Sequence, residues 1–257
     1  MSKQFNNNVM KNLNCKTMRK LVFTLLLFLT LSLSAQNIQN LQIVKFMGIP
    51  IDGSKSEMIS QIKKKGFTYN KEYDWLEGRF NGEQVNVIVH TNNDLVDRIM
   101  VVSANPVNET NIKIKFNNLV RQFNINEKYF STEEDQEIGD NVDISYEMSV
   151  NSKRFEASFH QKLSKEEEKI IKQKIFDNYD AMIEQLLEDD EMKDFADEIR
   201  KGDKESNINS FFAFMEFEYL MQNDVWFIIS EDAIRYNYYN INIYYDNLRN
   251  RPNGEDL

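Results

Sequence analysis

The chain has 257 residues, of which 41% are hydrophobic and 28% are charged, and its formal net charge at pH 7 is −10. This acidic balance opposes binding to nucleic acid and to anionic membrane surfaces through charge. A single cysteine excludes an intramolecular disulfide, and eight glycines leave little material for phosphate-binding loops.

Residues 18–35 have the pattern of an export signal. A short basic region precedes an apolar run over residues 21–33, and small residues follow up to Ala35. We expect cleavage after Ala35. The apolar run is shorter than the roughly 20 residues that a membrane-spanning helix needs. The sequence therefore predicts a protein of the periplasm or the extracellular space, with no transmembrane segment in its mature chain.

The residues before this signal are interpreted as an upstream extension. Residues 1–17 are rich in asparagine, and Met18 is the expected start of translation. Cys15 precedes the apolar run, which excludes it as the lipid-bearing residue of a lipoprotein. Residues 1–35 hold five basic and no acidic residues, so the 222-residue mature chain has no cysteine and a net charge of −15.

Residues 36–162 are predicted to form a first α+β region with two helix-plus-strands units. In the first unit, Ser54 and Glu57 match a capping box and Gly66 matches a left-handed helix end, so a helix is expected between them. Asn81-Gly82 favours a tight hairpin turn. The expected strands, including a short one at the start, are residues 43–48, 75–80, 83–90 and 95–102.

The second unit is predicted over residues 109–161. Apolar residues at helical spacing predict a helix over residues 109–123. Alternating apolar residues predict a strand over 142–150, which returns through a second strand containing Phe155, Ala157 and Phe159. Residues 54–102 and 109–161 resemble two copies of one supersecondary unit, although the identity between them is too weak to prove duplication.

Residues 163–202 are predicted to form a long helical segment. It begins at a capping box, Ser164 to Glu167, and Lys201–Asn207 is the best candidate for a linker after it. The apolar stripe expected along the helix consists of Ile171, Ile175, Tyr179, Met182, Ile183, Leu186 and Leu187.

Residues 203–257 are predicted to contain an aromatic β-hairpin with strands 225–229 and 236–245. Before it, the apolar pattern of residues 210–221 fits neither a helix nor a strand cleanly, and a helix is favoured. The predicted fold class is therefore α+β. It combines repeated helix plus antiparallel β-meander or hairpin units, helices on one side of the sheet, and one long amphipathic helix.

Three stretches, 46–53, 143–148 and 243–257, carry a resemblance to known proteins. Together they resemble a group of exported proteins of unknown function common in Bacteroides-like bacteria, over most of the mature chain. The three stretches carry no catalytic motif, and the resemblance supplies no activity that could be transferred to this chain. More loosely, the repeated units are similar to the beta-lactamase-inhibitor-protein-like modules of envelope assembly lipoproteins, an analogy of fold that assigns no function.

The chain offers little material for catalysis or metal binding. His90 and His160 end predicted strands and lack the spacing of a zinc site, so no metal or cofactor is predicted. Carboxylate pairs, either Glu216 with Glu218 or Asp143 with Glu147, could serve a glycosidase only if they flank a sugar cleft. An enzyme is therefore unsupported by the sequence, though not excluded by it.

The aromatic residues of the C-terminal hairpin are the main candidates for a binding site. Rings occur on both faces of the predicted hairpin, so one face is expected in the core, and the other is either covered or exposed as an aromatic platform. We predict a non-enzymatic binding or interaction module whose partner is an envelope protein or a glycan; the alternative is a periplasmic glycan hydrolase. The predicted surface residues are Trp226, Tyr236, Tyr238, Tyr244 and Tyr245.

Overall fold

The computed structural model describes residues 43–188, 190, 192–220 and 223–251. The predicted upstream extension, export signal and cleavage point lie outside these residues, as does the end of the chain from residue 252. The chain divides into two units. A sheet unit comprises Ile43–Lys162 with Tyr219–Leu257, and a helical unit includes Leu163–Glu218.

The sheet unit alternates short helices with antiparallel strands. Its elements before the helical unit are β1 (Lys45–Phe46), β2 (Ile49–Pro50), α1 (Lys55–Lys64), β3 (Thr68–Asn70), β4 (Trp75–Phe80), β5 (Glu83–Asn92), β6 (Leu95–Ser103), β7 (Val107–Asn108), α2 (Glu109–Ile125), β8 (Tyr129–Phe130), α3 (Ile144–Ser149) and β9 (Glu156–Gln161). After the helical unit come β10 (Asn223–Glu231), β11 (Tyr238–Asn247) and a 3₁₀ turn (Leu248–Asn250).

Nine of these strands form one antiparallel sheet in the order β3-β4-β5-β6-β11-β10-β9-β8, with β7 pairing to β11, while β1 and β2 form a separate hairpin. The predicted α+β class with an antiparallel sheet is confirmed. The C-terminal hairpin β10–β11 occupies the middle of the sheet, between β6 and β9. Its two strands are therefore paired on both sides, which fixes their position.

The helix, the hairpin turn and the meander of the first unit form as the sequence predicts. Ser54 caps α1 by accepting a hydrogen bond from the Glu57 backbone, while the Glu57 carboxylate accepts one from the Ser54 backbone. Asn81 and Gly82 take φ values of 49° and 81°, as a two-residue hairpin turn between β4 and β5 requires. The predicted meander of β4, β5 and β6 is confirmed.

One face of the sheet, the inner face, packs against α1 and α2. Alternate strand residues such as Val87, Ile99 and Phe227 join Met58 of α1 and Phe116 of α2 in one hydrophobic cluster. Each of these five side chains is at most 1% exposed. The opposite face, called the outer face below, carries the intervening residues of the same strands.

Two strand predictions are wrong. The single strand expected over residues 43–48 is the β1–β2 hairpin, which turns through Met47 and Gly48 at φ values of 52° and 81°. The strand expected over residues 142–150 is α3 with its flanking residues, because Asp143 accepts a hydrogen bond from the Tyr146 backbone and starts a helix there. The apolar spacing of four residues that supports α3 also fits a strand.

The helical unit contains α4 (Lys165–Glu188), α5 (Lys193–Lys201) and most of α6 (Lys204–Leu220). The helix expected over 210–221 is confirmed as far as Leu220, the last described residue of this segment, and it starts earlier. The linker expected at Lys201–Asn207 is wrong, because α6 begins at Lys204 and Asn207 donates to both Tyr179 Oη and the Ile199 carbonyl, each at 2.8 Å. The division predicted between residues 202 and 203 accordingly differs from the structural one, which falls after Glu218.

Six residues of α4 belong to the core of the helical unit. They are Ile171, Ile175, Tyr179, Met182, Ile183 and Leu186.

Candidate functional site

The structure separates the five predicted surface aromatics into four places. Trp226 and Tyr244 are half-buried on the outer face, Tyr236 is 91% exposed in the loop between β10 and β11, and Tyr238 is 40% exposed where β11 begins. Tyr245 lies in the core at 3% exposure, and burial raises its pKa well above the ordinary value. Tyr245 therefore does not belong to the predicted surface, because neighbouring strand residues point to opposite faces.

The loop that joins β10 to β11, residues 232–237, is called the tip loop. The Asp232 carboxylate accepts hydrogen bonds from the backbone N–H groups of Ile234 at 3.2 Å and Arg235 at 2.7 Å. The Asp232 backbone N–H donates to the Tyr238 carbonyl, and the Tyr238 N–H donates to the Arg235 carbonyl. The hydrogen bond from Arg235 is the main reason that the pKa of Asp232 is lowered. The tip loop is thus held in one turn by its own side chain and backbone.

This turn displays two large hydrophobic side chains. Ile234 and Tyr236 are each 91% exposed, the highest values among the large hydrophobic residues that the structure describes. Arg235 lies between them in the sequence and is also exposed. Tyrosine and arginine are among the residue types enriched where proteins bind one another.

At the outer face, Trp226 and Tyr244 form a cross-strand pair. They are directly opposite on β10 and β11, and their rings stack with centroids 4.1 Å apart and planes 15° apart. The Arg98 guanidinium lies 4.9 Å from the Tyr244 ring and 5.8 Å from the Trp226 ring. The two rings therefore contact each other and the Arg98 guanidinium, and these contacts stabilise the pairing of β10 with β11.

A buried carboxylate lies beside this pair. Asp246, 1% exposed, accepts hydrogen bonds from Arg98 Nε at 2.5 Å, Arg98 Nη2 at 3.1 Å and Trp226 Nε1 at 2.7 Å, and it also pairs with Arg251. Burial by itself lowers the pKa of Arg98, but the hydrogen bonds and charge of Asp246 raise it overall. The hydrogen bonds of this carboxylate connect β11 to β6 and to β10.

Asp246 belongs to a charged row that crosses five neighbouring strands of the outer face. The register places these residues opposite one another in succession on β5, β6, β11, β10 and β9. Within the row, His160 Nδ1 lies 3.0 Å from Asp224 Oδ1, at the distance of an ion pair without the alignment of a hydrogen bond. The Asp224 carboxylate raises the pKa of His160 against the opposing effect of burial. The row consists of His90, Arg98, Asp246, Asp224 and His160.

The two histidines stand at opposite ends of this row. Four strand spacings of about 4.8 Å separate their backbones by about 19 Å, too far for them to bind one metal ion. His90 instead contacts Asp97, with Nδ1 2.7 Å from Oδ1. Within the described ranges, no group of three or more His, Cys, Asp or Glu residues could hold a metal.

The carboxylate pairs considered for a glycosidase have other contacts. Asp143 caps α3, and Glu147 accepts a hydrogen bond from the Asn151 side chain at 3.1 Å. Glu216 and Glu218 lie in α6, and the Glu218 side chain is outside the described part of the structure. The contacts of Asp143 and Glu147 are therefore local ones that stabilise α3 and the residues after it.

The sheet edges offer little backbone for strand addition. The outermost strands β3 and β8 have three and two residues. Beyond β8, side chains occupy the free edge of β9, because Ser131 Oγ donates to the Ser158 carbonyl at 2.9 Å and the Ser158 N–H donates to Gln136 Oε1 at 2.6 Å. The short strands β3 and β8 and the covered edge of β9 leave little backbone for pairing with another chain at those positions.

Sequence reasoning missed Ile234, Arg98, Asp246 and Arg251. Ile234 gave a usable signal, because an isoleucine in the polar segment between two predicted strands has no core to join. Arg98 and Asp246 gave none, because β6 and β11 are distant in the sequence and only the folded sheet makes them neighbours.

Comparison with known proteins finds no match for this chain among protein-family models, curated proteins or solved structures. Among the helices that the structure describes, none combines the length and the apolar character needed to cross a membrane.

Proposed function

We propose that this chain is an exported, non-enzymatic α+β protein of the bacterial envelope that binds another protein through its tip loop. The observation that carries this proposal is the 91% exposure of both Ile234 and Tyr236 on a turn fixed by Asp232. Burial of this apolar surface against a partner would lower the free energy of the complex. Because the turn is already fixed, it loses little conformational freedom on binding.

The attachment of the tip loop supports the same proposal. The loop joins two central strands of the sheet, and Trp226, Tyr244 and Asp246 tie those strands to each other and to β6. A rigid scaffold that presents a small number of exposed side chains is the usual arrangement of a recognition loop. Protein rather than glycan is the favoured partner, because the rings of Trp226 and Tyr244 stack on each other and are only half-exposed.

Affinity capture tests the partner. The form left by the predicted cleavage, residues 36–257, is immobilised on a support and incubated with an envelope extract of the organism that encodes it. The double variant Ile234→Ser with Tyr236→Ser is treated in the same way. The matched control is Ile125→Ser with Val150→Ser, two hydrophobic residues that are 81% and 60% exposed elsewhere in the sheet unit.

We expect the unmodified protein and the control to retain the same envelope protein and the tip variant to lose it. The retained protein, once purified, should bind the unmodified chain directly. Equal retention by all three forms, or retention by none, would contradict the proposal.

The export signal has a separate test. Protein recovered from the periplasm or medium should begin at Gln36, since cleavage is expected after Ala35. A chain that keeps residues 18–35, or that is recovered only from the cell interior, would contradict export by a cleaved signal.

A further inference from the structure

The sheet unit contains a cavity of about 180 Å³ between α2 and the inner face at β5, β6 and β11. It lies on the side of the sheet away from the charged row. Its apolar walls are formed mainly by Val85, Val101, Ile112, Leu119, Ile241 and Ile243, and Phe80 and Tyr239 also line it.

The cavity opens to solvent. The side chains of Leu119, Ile241 and Ile243 are 8–9% exposed to solvent. Val87 and Val120 belong to the same core cluster and are fully buried. Protein cores are close-packed and contain few voids larger than a water molecule. A space of this size beside otherwise sealed core residues is therefore an accessible pocket.

The mouth of the cavity is polar and carries no net charge. Asn81 Nδ2 donates to Gln122 Oε1 at 2.7 Å, which joins the β4–β5 turn to α2. Lys115 Nζ pairs with Glu83 Oε1 at 2.8 Å, which joins α2 to β5. Asn118 is exposed beside them. Amide groups therefore remain as the neutral donors and acceptors at the opening.

We propose that this cavity is a binding site for a small, neutral, amphipathic molecule, with its apolar end against the aliphatic walls and a hydroxyl or amide group at the mouth. The size fits an apolar end of one six-membered ring, since an apolar cavity of about 150 Å³ accepts benzene. A charged ligand is disfavoured, because an acid would have to displace Glu83 from Lys115, and an amine would have to displace Lys115 from Glu83.

Methyl NMR of the full-length chain tests this site, because its walls carry valine, leucine and isoleucine methyl groups. The probe is p-cresol, a single ring with one hydroxyl group. The charged comparators p-toluate and 4-methylbenzylamine have similar rings. We expect saturable shifts of the Val85, Val101, Leu119 and Ile241 methyl groups with p-cresol, and weaker binding of both comparators.

A pair of variants distinguishes this cavity from other apolar surface. Val85→Phe fills the pocket and should weaken p-cresol binding by about tenfold or more. Val102→Phe makes the same change on the outer face and should leave binding unchanged. Should Val85→Phe fail to fold, Leu119→Phe fills the same space from α2.

Three outcomes would overturn the site: no saturable shift, shifts centred away from the cavity walls, or tighter binding of either charged comparator. The site does not depend on the tip loop. Ile234→Ser with Tyr236→Ser should leave p-cresol binding unchanged, so either proposal can fail without the other.

Discussion

Arg98 on β6 donates two hydrogen bonds to Asp246 on β11, and the two residues are 148 positions apart in the sequence. Asp246 also accepts from Trp226 of β10 and pairs with Arg251 beyond β11. One buried carboxylate thereby fixes three strands and the chain segment that leaves the sheet. The hairpin that carries the tip loop is anchored at its base by this contact and closed at its other end by Asp232.

Replacing this carboxylate should destabilise the sheet unit. Asp246→Asn leaves two guanidinium groups without their counter-charge, and we expect a loss of about 2–3 kcal/mol in the free energy of unfolding. The loss stays below that of a fully buried pair because the side chains of Arg98 and Arg251 are 30% and 33% exposed. Urea unfolding followed by tryptophan fluorescence measures it, since both tryptophans lie in the sheet unit.

Asp94→Asn is the matched control for this change. Asp94 is exposed in the β5–β6 turn at a φ of 65°, a conformation that asparagine also tolerates. Its unfolding free energy should stay within about 0.5 kcal/mol of the unmodified chain. Equal effects at positions 94 and 246 would mean that the Asp246 contacts contribute nothing specific.

The ion pair of His160 with Asp224 should make stability depend on pH. The pKa of His160 is raised in the folded chain, so its stabilisation is fully present below the unfolded value of about 6.5 and is lost as the pH rises through the folded value. Asp224→Asn should therefore cost more stability at pH 5.5 than at pH 8.5. Proton NMR should place the pKa of His160 above 6.5 and show a decrease in the variant; an unchanged pKa would refute the coupling.

Gly78 of β4 should tolerate no side chain. A Cβ atom at this position would lie 2.4 Å from Cδ1 of Phe67, a core residue that is 4% exposed. Gly78→Ala should therefore cost about 1–3 kcal/mol through overpacking, measured by urea unfolding. Gly139→Ala is the control, because its nearest neighbour atom would be 3.8 Å away. Adding Phe67→Ala to Gly78→Ala should cost less than the sum of the two single changes.

Asn207 should stabilise the helical unit through its two hydrogen bonds. Asn207→Ala leaves the Ile199 carbonyl and the Tyr179 hydroxyl without this donor, at an expected cost of about 1–2 kcal/mol. Amide hydrogen exchange in α5 and α6 should then be about 5–30 times faster. Asn209→Ala, at an exposed position of α6, should leave exchange unchanged. Equal protection in both variants would rule out this role.

Local signals in the sequence were sufficient where they agreed with one another. The capping box at Ser54, the Asn81-Gly82 turn and the alternation along β4 to β6 all favour the same meander, and the structure contains it. The prediction of a strand over residues 142–150 was wrong because the spacing of four between Ile144 and Met148 fits the period of a helix as well as that of a strand. Glu109 of α2 accepts hydrogen bonds from Ile144 N and Ser145 Oγ, and these contacts support α3.

The candidate site was only partly predictable, for a different reason. Alternation places Tyr244 and Tyr245 on opposite faces, but which face is buried depends on where α1 and α2 pack. The charged row depends on strand order, and the neighbours β6 and β11 come from distant parts of the chain. Sequence alone does not fix this order, so Asp246 could not be recognised as a buried partner of Arg98.

Photo-crosslinking in living cells tests binding through the tip loop most directly. The photoreactive residue p-benzoylphenylalanine is incorporated in place of Tyr236, or in place of Tyr146, a control tyrosine that is 53% exposed on α3. We expect a covalent adduct with one envelope protein from position 236 and not from position 146. No adduct from position 236, or the same adducts from both positions, would contradict it.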